Sequence, residues 1–118
     1  MKELNEGKLE IKVNEGADRT VLTWVGHSDA QEPARFLTPY LTELIENFSG
    51  GEILMDFSEL SYMNSSTISP IIQFLKMADS KGIKTTLEYK GGSVWQNASF
   101  RALETLSGVM KNISIVKK

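Results

Sequence analysis

His27, Ser28 and Asp29 stand side by side, and they are the residue types of a hydrolytic triad. Neighbours along a chain point apart, so these three do not form one as they stand. A triad would need a distant serine or aspartate folded against His27. The chain has no other histidine and no cysteine. Disulfides, thiolate metal sites, a cysteine nucleophile and a multi-histidine metal cage are thereby excluded. Glycine-rich phosphate loops and the Gly-x-Ser-x-Gly elbow are absent as well. His27 reads as a loop residue, and a small hydrolase or transferase centred on it is the weakest functional reading. Asn47, Asn64, Asn97 and Asn112 each begin an Asn-x-Ser sequence. Without a secretory signal these are chance composition.

The polar stretch richest in information is Leu60 to Pro70. Asn64, Ser65, Ser66, Thr67 and Ser69 crowd the entry of an amphipathic helix there. One such side chain is enough to cap a helix, a contribution of about 1 kcal/mol. Pro70 fits only in a first turn, so the helix begins between Ser65 and Ser69. A helix start offers free N–H groups and partial positive charge. A phosphate on Ser65, Ser66 or Thr67 would be held locally and would add almost two negative charges. Phe74 and Met77 lie beside the main Ile/Leu stripe of this helix. They form either the edge of a wide buried face or an exposed apolar patch for a partner.

These residues must be positioned by the elements around them. Leu9, Ile11 and Val13 alternate with Lys8, Glu10 and Lys12, the period of a strand with one wet face. Thr20 to Val25 predicts a second strand and an antiparallel hairpin. A polar loop at Gly26–Asp29 follows. Phe36, Leu37, Tyr40, Leu41, Leu44, Ile45 and Phe48 predict a helix from about Pro33 to Asn47, with Pro39 on its outer face. Residues 52–57 read as a central strand, and Ser58 to Ser65 as a connection. Ile68, Ile71, Ile72, Leu75 and Ala78 mark the second helix, and residues 83–89 a further strand. Gly91-Gly92 reads as a flexible turn, with close approach of a ligand as its other use. Trp95, Ala98, Ala102, Leu103 and Leu106 predict a third helix, and Asn112 to Val116 a last strand. The order β-β-α-β-α-β-α-β implies an α/β domain with a mixed, mostly parallel sheet of about five strands and three helices.

The chain has 118 residues, 41% hydrophobic and 24% charged, with a formal net charge of −2. That is the size and composition of one globular domain, with its core at about residues 8–116 and polar, frayed ends. The charge balance argues against nucleic acid as a partner. No apolar run of membrane-spanning length and no signal-type segment occurs, so the expected location is the cytoplasm. Nothing in the sequence calls for a cofactor or metal.

The arrangement resembles the STAS domain, the fold of bacterial anti-sigma factor antagonists. That family has opening strands, a Gly-x-x-Asp loop, a helix, a buried strand, and a Tyr/Phe-Met/Ile-Asp-Ser-Ser/Ala-Gly-Leu segment entering a second helix. Here the loop is Gly26-His27-Ser28-Asp29, the strand is Ile53–Phe57 and the segment is Tyr62-Met63-Asn64-Ser65-Ser66-Thr67-Ile68. The resemblance covers residues 8–116. It implies a non-enzymatic partner switch in which an anti-sigma-type serine/threonine kinase phosphorylates Ser65, a PP2C-like phosphatase reverses the step, and the phosphate releases the partner. Ser66 and Thr67 are the alternative acceptors. His27, Ser28, Asp29, Asn64, Ser66, Thr67, Phe74 and Met77 are the implied partner contacts. The family's aspartate is Asn64 here and its glycine is Thr67. A phosphorylation-independent STAS adaptor in a signalling or transport complex is the alternative function.

The strand reading carries a direct test. Met55→Asp would bury an unpaired charge and should abolish cooperative thermal unfolding at ambient pH. A variant that melts like the parent refutes the strand.

Overall fold

The computed structural model describes residues 2–91 and 94–118. In chain order its elements are β1 (Leu4–Glu6), β2 (Leu9–Glu15), β3 (Arg19–Ser28), α1 (Ala34–Glu46), β4 (Glu52–Asp56), β5 (Leu60–Met63), a 3₁₀ turn (Ser65–Thr67), α2 (Ile68–Ser80), β6 (Thr85–Tyr89), α3 (Val94–Ser107) and β7 (Ile113–Lys117). The strands form one sheet in the order β1-β2-β3-β4-β6-β7, and β5 is paired to β3. The two opening pairings are antiparallel. All the others are parallel, as strand–helix–strand crossovers require.

Alternation along the strands sends one set of side chains to the helices. Leu22 is opposite Met55, and Met55 is opposite Leu87, all three completely buried. Trp24, Phe57 and Phe100 pack as tilted rings with centroids 4.8 and 5.0 Å apart, and Phe100 stacks on Tyr89 at 4.9 Å. Burying a side chain of this size is worth about 1.5–3 kcal/mol. The opposite row carries Val21, Leu54 and Thr86, and Leu54 is buried without joining the main core.

Among the described residues the sheet has seven strands where the sequence predicted about five. β1 lies in the end expected to fray, where Leu4 is buried and the Tyr40 hydroxyl of α1 donates to the Lys2 carbonyl at 2.7 Å. β5 lies in the segment expected to be a connection. Only its end residues, Leu60 and Met63, are buried, so it shows no period-two pattern. β3 runs on through Gly26 and His27 to Ser28, so most of the expected polar loop is strand.

The third helix also turns a different face inward. Gln96, Phe100 and Leu103 are buried, whereas Ala98 and Ala102 are exposed; the Trp95 side chain lies outside the described residues. Gly91 follows β6 in a turn and donates its N–H to the Lys118 carbonyl at 3.1 Å, and Gly92 is outside the described residues. Gln96 faces inward because it satisfies backbone groups from two other segments. Its Nε2 donates to the carbonyls of Phe57 and Leu60, both at 3.0 Å, and its Oε1 accepts the Lys90 N–H at 2.6 Å. This ties α3 to the turn that launches β5.

Gln96→Leu keeps the volume and removes all three bonds. It should lower stability by about 1–3 kcal/mol, the cost of leaving buried polar groups unpaired. Urea denaturation measures it, and an unchanged midpoint would show that the latch contributes nothing.

Candidate functional site

β3 and β5 run parallel, and their ends coincide. Ser28 is in register with Met63, and the Asn64 N–H donates to the Ser28 carbonyl at 2.9 Å. Two loops therefore leave the same end of the sheet together, the carboxyl end where open α/β sheets present their sites. A register shift between Gly26 and His27 re-aims the end of β3. Gly26 makes it possible: its φ is +94°, and a Cβ there would lie 2.1 Å from the Lys8 carbonyl oxygen.

Asn64 joins the two loops. Its backbone is extended (φ −81°, ψ 168°) and its side chain caps the 3₁₀ turn. Oδ1 accepts from the Thr67 N–H at 3.2 Å and from the Thr67 hydroxyl at 2.8 Å. Nδ2 donates across to the Ala30 carbonyl at 2.8 Å. Ser28 Oγ lies 2.7 Å from Thr67 Oγ1. The Thr67 proton is already given to Asn64, so Ser28 is the donor in that contact. Protons thus run in one direction, from Ser28 to Thr67 to Asn64. Both hydroxyls are buried, at 1% and 0% exposure.

This geometry sorts the residues singled out by sequence. Ser65 and Ser66 are exposed at the start of the turn. Their N–H groups precede the one that Asn64 caps. Thr67 is no phosphoacceptor in this fold, because its hydroxyl is enclosed and used in two bonds. Thr67 and Ser28 position the loops from beneath and offer no contact surface to a partner. His27 is exposed, and its N–H donates to the Lys8 carbonyl at 3.0 Å. Asp29 is exposed beside Lys8, with 3.9 Å between Oδ2 and Nζ. Phe74 is completely buried, so there is no exposed shoulder at that position. Met77 is half-buried and packs against the core. α2 buries a wide face because α1 packs along it as well as the sheet.

Two participants went unrecognised in the sequence. Ala30 acts through its carbonyl, which any residue possesses, so no residue type signals it. Lys8 lies at the β1–β2 turn, and the bond from the His27 N–H to its carbonyl and the approach of its ammonium group to Asp29 bring it to the site. The lone glycine between Val25 and His27 was the available signal for a bulge. From Leu60 to Pro70 the chain has no charged side chain, so the segment that bears the two serines adds no charge to the site.

No protein-family model matches the chain, and no curated protein matches it by sequence. Solved structures do match it. The anti-sigma factor antagonist SpoIIAA in its unphosphorylated form superimposes with a TM-score of 0.62 at 14% identity, covering 86% of this chain and 99% of that one. An anti-sigma factor antagonist from Mycobacterium paratuberculosis gives 0.61 at 12% identity, covering 83% of this chain and 81% of that one. A serine-to-glutamate variant of RsbS from Moorella thermoacetica gives 0.58 at 13% identity, over 92% and 86%. The chain has a STAS-like fold, shared with these solved structures.

The clamp predicts a graded series. Asn64→Asp keeps both acceptor contacts and loses the donor to Ala30, leaving two oxygens face to face. Thr67→Val keeps the shape and strips two hydroxyl bonds. Each should cost about 1–3 kcal/mol, and Asn64→Ala more than Asn64→Asp. Urea melts of the three variants give the order. Equal stability of Asn64→Asp and the parent would show that the Ala30 bond is immaterial.

Proposed function

We propose that the chain is a non-enzymatic binding module of the anti-sigma factor antagonist kind, a partner switch controlled by phosphorylation of Ser65. The observation that carries this reading is the pairing of exposed Ser65 and Ser66 with a buried clamp directly beneath them, on a fold shared with anti-sigma factor antagonists. A hydroxyl that is to be modified must be accessible, and the turn that presents it must hold its shape. The three-residue network supplies that shape without using either serine.

In this reading an anti-sigma-type serine/threonine kinase is both partner and modifying enzyme, a PP2C-like phosphatase resets the switch, and the pathway operates in the cytoplasm. Ser66 is the alternative acceptor. His27, Asp29, Asn64 and Ser66 border the docking face. Among the described residues no helix is long and apolar enough to cross a membrane. The turn that bears Ser65 carries no charged side chain of its own from Leu60 to Pro70, so in the unmodified state the turn itself docks without a charge to desolvate. A phosphate adds nearly two negative charges that the docked face would have to bury, and the partner leaves.

The reading is tested by incubating the protein with an anti-sigma-type kinase and ATP and mapping phosphate by mass spectrometry. Modification falls on Ser65 and disappears in Ser65→Ala, while Ser65→Glu weakens kinase binding by about tenfold or more. Kinase binding that is unchanged by Ser65→Glu would instead establish the phosphorylation-independent adaptor.

A further inference from the structure

A cleft of about 220 Å³ opens beside the clamp, between the β1–β2 turn and the loop that follows β3. Its floor is apolar: Leu9 is 2% exposed, and Phe36 packs against the core. Its rim carries two carboxylates, Glu6 and Asp29, one ammonium group, Lys8, and the imidazole of His27. Gly7 leaves the mouth open, since a Cβ there would meet nothing within 4 Å. Two lining residues, Ser28 and Ala30, are the ones that bond to Thr67 and Asn64.

We infer that this cleft seats one apolar side chain of the partner protein, an anchor with a basic residue next to it in the partner's sequence. The inference rests on the reading that the partner docks on this face. The volume decides the size of the occupant. Ordinary small-molecule pockets begin at about 300 Å³, so this one suits a single large side chain rather than a nucleotide or a helix. The floor decides its polarity, because an apolar floor rewards an uncharged group. The rim decides its flank, since two carboxylates against one ammonium leave a surplus negative charge. Lys8 and Asp29 are 3.9 Å apart, with side chains 73% and 47% exposed. So loose a pair opens at little cost. The cleft shares Ser28 and Ala30 with the clamp, so an occupant presses on the residues that hold Thr67 and Asn64.

The test needs no modifying enzyme at first. The full chain, ¹⁵N-labelled, is titrated with acetyl-leucyl-arginine amide, acetyl-glycyl-arginine amide and acetyl-leucyl-glutamate amide. The leucyl-arginine probe binds weakly, as a fragment does, and shifts the amide signals of Gly7, Ala30, Asn64 and Thr67. The glycyl probe binds about tenfold more weakly, and the glutamate probe more weakly than the arginine probe. Ala30→Leu fills the cleft and removes these shifts. It also lowers the affinity for an anti-sigma-type kinase about tenfold. Should that variant fail to fold, Asp29→Lys serves instead and reverses the preference between arginine and glutamate. Absence of shifts at these amides overturns the inference, and so does equal binding of the leucyl and glycyl probes. A failed titration with Ser65 still phosphorylated rejects the cleft alone, and a successful titration with Ser65 unmodified rejects the switch alone.

Discussion

A primary amide can donate and accept at once, and the site depends on that property of Asn64. Its oxygen organises the start of the 3₁₀ turn and its nitrogen holds the loop after β3. A carboxylate could do the first and not the second. The asparagine that departs from the STAS pattern therefore goes with a particular geometry, in which a carbonyl oxygen, that of Ala30, faces the side chain. Thr67, the other departure, completes the same arrangement. Its hydroxyl is the donor that Asn64 Oδ1 receives and the acceptor that Ser28 needs. The two unusual residues satisfy each other.

Burial divides the hydroxyls of this region into two populations. Ser28 and Thr67 are enclosed, and an enclosed hydroxyl is stable only when bonded. Ser65 and Ser66 face solvent, and water satisfies them as well as any protein group would. The first pair is committed to structure and the second is accessible from solvent. A net charge of −2 spread over the whole chain also means that one phosphate would nearly double it at a single point.

Support for the site extends well beyond its neighbours in sequence. β5 is short and paired on one strand only, a weak element by itself. The Gln96 amide secures its start from α3, and the register with β3 secures its end. The helices gather on the face that carries Leu22, Met55 and Leu87, so α1, α2 and α3 share one core with the strands that deliver the two loops. A disturbance of α3 would therefore reach the serine-bearing turn through backbone hydrogen bonds as well as through packing.

The strands β2, β3, β4, β6 and β7 and all three helices were legible in the sequence, because repeated apolar spacing reports burial wherever one face meets a core. The polar crowding of Asn64, Ser65, Ser66 and Thr67 was legible too, together with the helix start that Pro70 constrains. β1 and β5 were not, since three or four residues give no period to read. The inward face of α3 was misjudged because a glutamine, fully bonded to backbone, takes a core position that hydropathy assigns to an alanine. By itself the sequence determined which residue types enter the second helix and that the segment from Leu60 to Pro70 carries no charged side chain. Only the tertiary structure decided which hydroxyls are buried and which are exposed. That choice follows from the parallel register of Ser28 with Met63, which brings residues 34 to 39 positions apart in the chain within hydrogen-bonding distance.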